Sequence, residues 1–153
     1  MHKLFLLFTI LFFCTVSFCQ TSYPYQDIKL EKPADYIATE PLALSAATFL
    51  LTTPFIELDV NRAHAFLFLT TWMEGAKNYN FYTQGIVQQI NTDKNLLSLY
   101  IAAMAKYSLE HKTESPAALV VEKNACKLLL AYCDDPAHNF KLKKKLRTKL
   151  ENN

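Results

Sequence analysis

The sequence is poor in glycine, with only Gly75 and Gly85 among its 153 residues. Tight β-hairpins rely on glycine in left-handed backbone conformations, so this scarcity argues against a sheet-rich fold. It also excludes a collagen-like chain and argues against glycine-rich phosphate-binding loops. The hydrophobic fraction of 51% and the net charge of only +2 exclude an intrinsically disordered chain. A compact all-α domain remains, and the length is sufficient for one such domain.

The first residues have the pattern of a targeting segment. A short basic start precedes an apolar run from Leu4 to Phe18, which would span only ~22 Å as a helix, short of the ~30 Å hydrocarbon core of a bilayer. Small side chains at Ser17 and Cys19 favour cleavage after Cys19. Residues 1–19 are therefore predicted to be a signal peptide, and the protein to be exported and then periplasmic or secreted. An uncleaved anchor is the alternative.

Few cysteines remain once the signal peptide is removed. Cys126 and Cys133 are the only two left in the predicted mature chain. On one continuous helix their spacing of seven residues amounts to ~10.5 Å, beyond the ~7 Å limit between the α-carbons of a disulfide. We therefore expect two unpaired thiols.

The mature chain divides into an arm and a domain. Residues 20–38 are predicted to form an extended N-terminal arm, because Pro24 and Pro33 disfavour helix in the residues that precede them. Residues 39–153 are predicted to form a single compact domain of five to six helices. Residues 60–77 are apolar almost all round, which is typical of a helix surrounded by others, and this helix is predicted to be the centre.

Capping residues and prolines set the predicted helix boundaries. Helices are expected over 40–53, 60–77, 79–90, 94–111, 116–134 and 136–150. The expected N-caps are Thr39, Asp59, Asp93 and Ser115, residue types whose side chains accept hydrogen bonds from free N–H groups. The basic stripe of the last helix lies opposite Leu142, Leu146 and Leu150.

Three segments carry a resemblance to a known family. They are Trp72-Met73 through Gly75 to Tyr79 and Phe81, Leu99-Tyr100 to Lys106-Tyr107, and Ala125 to Tyr132-Cys133 and Pro136. Over roughly residues 40–140 the chain resembles a small family of exported all-helical bacterial proteins with no known activity. The resemblance implies a fold and carries over no chemistry.

The sequence contains no recognisable catalytic or metal-binding motif, so we assign no catalytic, cofactor-binding or metal-ligating residue and expect no cofactor. The most polar face of the apolar helix carries His64 and Glu74, and the cap residue Asp59 completes a candidate site of three residues. The leading hypothesis is a non-enzymatic extracytoplasmic helical domain that binds a protein partner or an envelope surface. The alternative is a small exported hydrolase or ligand-binding protein with a site around these three residues. That alternative requires at least two of them to converge in one open pocket.

Charge is unevenly placed along the mature chain. Residues 20–140 carry 9 basic and 13 acidic side chains, whereas residues 141–153 carry six basic side chains and one acidic one. A near-neutral body gives no reason to expect nucleic acid as a partner. The basic helix over 141–150 either packs on the domain through its leucines or makes weak contact with an anionic surface.

Overall fold

The computed structural model describes residues 25–81 and 84–153. The predicted signal peptide and residues 20–24 of the predicted arm lie outside these ranges. In the described ranges, no helix is both long and apolar enough to cross a membrane.

Seven α-helices and one 3₁₀ turn make up the regular structure of the described chain, which contains no strand. The 3₁₀ turn is Pro136–His138, between the last two helices. The helices are α1 (Pro33–Ala38), α2 (Glu40–Thr52), α3 (Val60–Gly75), α4 (Ile86–Ile90), α5 (Lys94–Glu110), α6 (Ala118–Asp134) and α7 (Lys144–Glu151). The all-α prediction is confirmed: six of these helices lie within residues 39–153, where five to six were expected, and α1 lies in the predicted arm.

Aspartate caps fix the starts of two long helices. The Asp59 carboxylate accepts hydrogen bonds from the backbone N–H groups of Asn61 and Arg62, at 2.7 and 3.1 Å. Asp93 accepts one from Leu96 N–H at 3.1 Å. Each carboxylate satisfies donors that have no partner inside the helix. These two predicted N-caps are confirmed. The predicted cap Thr39 is not, because its hydroxyl donates to the carbonyl oxygens of Asp35 and Tyr36 and accepts no hydrogen bond from α2.

The N-terminal arm is not extended to residue 38. Pro33 starts the short helix α1, where its missing N–H costs nothing, and Asp35 accepts hydrogen bonds from Glu31 N–H and Lys32 N–H at 3.0 and 2.9 Å. Before α1, Tyr25 is buried and stacks on Phe68 with ring centroids 5.7 Å apart. The described arm therefore lies on the domain.

In the predicted helix over 79–90, the described residues 79–81, 84 and 85 are not helical, and α4 covers only Ile86–Ile90. Gly85 has φ of 63°, a left-handed backbone conformation that stops a helix from extending through it. The buried Glu122 carboxylate accepts a hydrogen bond from Ile86 N–H at 2.9 Å and so caps α4 from α6.

Two further boundaries near the C-terminus differ from the prediction. Ser115 has φ of 46° and is not the cap of α6, which begins at Ala118. Asn139 lies in the left-handed region with φ of 52° and ends the 3₁₀ turn, so the predicted helix over 136–150 is interrupted. Its helical part is α7, which begins only at Lys144.

The central helix is α5 rather than the predicted helix over 60–77. Helix α5 contacts α2, α3, α4 and α6, and nine of its residues are buried. Helix α3 leaves Val60 and Leu67 more than half exposed. Helix α3 is apolar on nearly all sides because one of its apolar faces is exposed, and this pattern does not indicate a central position.

The two cysteines are confirmed as unpaired, both on the continuous helix α6. Burial raises the pKa of Cys126 to about 11 and that of Cys133 to about 12, because a desolvated thiolate is unfavourable. Reactivity follows the thiolate fraction, so the structure gives two inert thiols.

In the folded protein we expect both thiols to react with iodoacetamide at least about tenfold more slowly at pH ~8 than in the unfolded protein. Because both folded pKa values exceed the ordinary value of 9.0, stability should fall as the pH rises from about 9 towards 12. Peptide mass spectrometry after timed alkylation measures each thiol separately. Equal rates in the folded and unfolded states would contradict the expectation.

Candidate functional site

The three residues of the sequence-derived site are not brought together. Asp59 caps α3 and lines one cavity, whereas His64 lines another and accepts a hydrogen bond from Gln26 Nε2 at its Nδ1, 2.9 Å away. Glu74 is exposed, and ten residues of helix separate it from His64 by ~15 Å along the axis. Within the described chain, Asp59, His64 and Glu74 therefore form no convergent acid–base pair, which the hydrolase hypothesis requires.

A cavity of about 210 Å³ opens between the α2–α3 loop, the start of α3 and the start of α5. We call it the Arg62 groove. Its lining combines apolar and polar side chains: Leu50, Phe55, Ile56, Leu58, Asp59, Arg62, Ala63, Phe66, Lys94, Asn95 and Ser98. The lining contains two cations, the buried Arg62 and the exposed Lys94.

Arg62 is the buried cation, with 6% of its surface exposed. Its Nη2 donates to the carbonyl oxygen of Leu50 at 3.0 Å, and its Nη1 donates to Thr53 Oγ1 at 2.8 Å. These acceptors lie at the C-terminal end of α2, where the helix dipole favours a positive charge. In the described part of the chain, no carboxylate forms an ion pair with Arg62. Carbonyl and hydroxyl acceptors at the end of α2, together with the Phe55 ring, therefore stabilise its charge.

Phe55 makes the wall of the Arg62 groove rigid. Its ring lies 5.5 Å from Arg62 Cζ and packs edge-on against Phe140 at 5.1 Å. Its backbone N–H donates to the carbonyl oxygen of His138 at 2.7 Å. Two sequence-distant segments thus hold the loop in one conformation.

Tyr132 connects the same wall to α6. Its hydroxyl donates to the carbonyl oxygen of Thr53 at 2.9 Å, so the loop is tied to the long helix as well. Burial raises the pKa of Tyr132, and the nearby Arg62 guanidinium opposes that shift. The tyrosine is therefore a neutral structural donor at physiological pH.

The rim of the Arg62 groove is aliphatic and exposed. Leu58 is 93% exposed and has φ of 62°, a left-handed conformation that an L-residue with a side chain rarely adopts. Its neighbours Ile56 and Val60 are each more than half exposed. Of these, Ile56 and Leu58 line the groove, and exposed apolar patches are typical of interaction surfaces.

Sequence reasoning had identified Asp59 but not Arg62 or the rim. One signal was available, because Arg62 is a lone cation in the first turn of an otherwise apolar helix. Such a cation requires either solvent or a buried set of acceptors.

No three histidine, cysteine or carboxylate side chains in residues 25–81 and 84–153 lie close enough together to hold a metal ion. The candidate site is therefore defined by the Arg62 groove, its two cations and its aliphatic rim.

Comparison of the chain with family models, with curated proteins and with solved structures finds no significant match.

Proposed function

We propose that this chain is an exported, non-enzymatic helical domain that binds a protein partner through the Arg62 groove. The partner segment would place a carboxylate beside aliphatic side chains. The observation that carries the proposal is Leu58, a large aliphatic side chain that is 93% exposed and held in a left-handed backbone conformation.

Leu58 contributes little to the stability of the isolated domain. The left-handed conformation costs roughly 1–2 kcal/mol for a residue with a Cβ, and the exposed side chain offsets none of it. Covering this side chain with a partner would gain about 2–3 kcal/mol. Strained, exposed residues of this kind are concentrated at functional sites.

The charge of the groove selects the partner's polar group. Arg62 lines the cavity without a carboxylate of its own, and Lys94 is exposed at the same cavity. Asp59 is occupied with capping the backbone of α3. A partner carboxylate is thus the complementary group for this lining, and Ile56, Leu58 and Val60 supply the apolar contact beside it.

Export remains a prediction from the segment over 1–19, as does the family resemblance. Both are consistent with a binding domain, since neither implies a chemical reaction. An envelope surface is the second candidate partner, through the basic segment over 141–150, where Lys141, Lys144 and Lys145 are exposed.

We expect Leu58→Ala to weaken partner binding at least about tenfold, because hot-spot truncations cost more than 1 kcal/mol. The probe is a labelled peptide library in which leucine and isoleucine alternate with aspartate and glutamate. Peptides selected from it are titrated by fluorescence anisotropy. Lys94→Gln should weaken the same peptides and leave their glutamine-substituted analogues unaffected.

Leu119→Ala is the matched control, because Leu119 is also a largely exposed leucine, at 69%, and lies on α6 away from the groove lining. It should leave binding unchanged. Equal losses for the two leucine variants would contradict the proposal, as would selected peptides that bind equally well without their carboxylates.

A further inference from the structure

A second and larger cavity, of about 350 Å³, lies on another part of the domain, between α1, the start of α2 and the end of α3. We call it the aromatic cavity. It is lined by Glu31, Pro33, Tyr36, Ile37, Glu40, Trp72, Gly75, Ala76, Lys77, Asn78 and Tyr79. This volume lies within the range of small-ligand sites in proteins.

Three rings of the aromatic cavity are held in place by the fold. Trp72 is fully buried, and its Nε1 donates to the carbonyl oxygen of Tyr36 at 2.9 Å. The Tyr36 hydroxyl in turn donates to the carbonyl oxygen of Leu30 at 3.0 Å. Tyr79 packs against Trp72 with ring centroids 5.3 Å apart. The aromatic wall therefore exists before any ligand binds.

Gly75 lets the Tyr36 ring approach the backbone of α3. A Cβ at position 75 would overlap the ring at Cζ, Cε1 and the hydroxyl. Since the hydroxyl is fixed by its hydrogen bond to Leu30, the ring cannot swing away without losing that bond. Absence of a side chain at this position thus preserves the shape of the cavity.

The charges that line the cavity are two carboxylates, Glu31 and Glu40, and one ammonium group, Lys77. Glu40 is largely buried and forms an ion pair with Lys112 at 2.9 Å, whereas Glu31 is exposed. Burial raises the pKa of Tyr79, and the adjacent Glu40 carboxylate raises it further. Tyr79 is therefore uncharged at any physiological pH. Because Lys112 pairs with Glu40, Glu31 is the lining carboxylate without an ion-pair partner in the described chain.

The hydrogen-bonding groups of Trp72, Tyr36 and Glu40 are directed at the protein itself. Trp72 donates to Tyr36, Tyr36 donates to Leu30, and Glu40 accepts from Lys112. A ligand that requires many hydrogen bonds would have to displace these. The ring faces of Tyr36 and Tyr79 and the exposed carboxylate of Glu31 remain, and this combination attracts a cation that carries no N–H donors.

We propose that the aromatic cavity binds a compact quaternary ammonium group, which contacts the rings of Tyr36 and Tyr79 above the buried Trp72 and which Glu31 attracts. The proposal concerns a site separate from the Arg62 groove and does not depend on the function proposed there. The shared chemistry is a trimethylammonium group, whether on a free small molecule or on a lipid headgroup.

The single tryptophan of the chain, Trp72, provides the readout. Titration of the purified protein with choline should change the Trp72 fluorescence saturably. The uncharged isostere 3,3-dimethylbutan-1-ol should bind at least about tenfold more weakly, because it lacks the cation. Phosphatidylcholine vesicles compared with free choline distinguish a headgroup from a soluble ligand. No saturable change, or equal binding of the uncharged isostere, would overturn the proposal.

Glu31→Gln should weaken choline binding by about fivefold or more while leaving unfolding unchanged, since its carboxylate is exposed. Glu114→Gln is the matched control, an exposed carboxylate outside the cavity lining. Gly75→Ala should abolish binding by displacing the Tyr36 ring. Equal choline affinities of the Glu31→Gln and Glu114→Gln variants would overturn the role of Glu31 and with it the proposal.

Discussion

Replacing Trp72 with alanine is expected to lower the free energy of unfolding by about 3–5 kcal/mol, as truncations of large buried aromatic residues do. The ring is fully buried and packs against Tyr79 and Phe81 at 5.3 and 6.2 Å. The variant also loses the hydrogen bond to the carbonyl oxygen of Tyr36, which ties α1 to α3. Urea unfolding followed by far-UV circular dichroism measures the loss.

Trp72→Phe separates packing from the hydrogen bond. It keeps most of the aromatic volume and removes the indole N–H, so we expect a smaller loss of about 1–2 kcal/mol. A Trp72→Ala variant as stable as the parent would show that the ring is not part of the core. A similar loss for both variants would assign the effect to the hydrogen bond instead.

The second large effect concerns α7, whose leucines attach it to the domain. Leu146 and Leu150 are buried, and α7 packs against α4 and α6. Arg147 pairs with Asp134 of α6 at 2.5 Å, and Lys143, just before α7, pairs with Asp93, the N-cap of α5, at 3.5 Å. We expect Leu150→Ala to cost about 2–5 kcal/mol, measured by the same urea titration.

Replacing the exposed lysines tests whether this segment binds an anionic surface. A triple Lys141, Lys144 and Lys145→Gln variant should change stability by less than about 0.5 kcal/mol, because these are surface positions. If this segment contacts an anionic surface, the parent should bind anionic vesicles at low salt and the triple variant should not. Since the leucines dock the helix, we expect no vesicle binding by either protein. Salt-sensitive binding lost only in the triple variant would contradict this expectation.

Sequence reasoning located the long helices well where local chemistry decides. Asp59 and Asp93 each precede an apolar helical run, and each caps the helix that follows. The lack of glycine correctly excluded a sheet in the described chain. These features depend on neighbouring residues only, so they can be read without knowing the tertiary structure.

The errors arose where tertiary contacts decide. Gly85 and Ser115 have positive φ values, which the sequence does not specify, and helices end or start elsewhere as a result. The position of the central helix was wrong because hydrophobicity alone cannot distinguish a surrounded helix from one with an uncovered apolar face. Leu67, 64% exposed on α3, is the clearest example.

The candidate site was less predictable than the fold. Arg62 reaches acceptors at the end of α2, a contact between elements that no local pattern encodes. The aromatic cavity likewise needs Tyr36 from α1 and Trp72 from α3 to meet. Composition showed that aromatic residues were plentiful, but it could not show which of them enclose a space.

The buried carboxylate of Glu122 connects the short helix α4 to α6. Helix α4 has only five residues, too few to persist alone, and its first N–H depends on a side chain from α6. Ile86 and Ile90 are fully buried, and Lys149 on α7 donates to the carbonyl oxygen of Gln89. We therefore expect the amide hydrogens of α4 to exchange with solvent mainly through openings that also separate α4 from α5, α6 or α7.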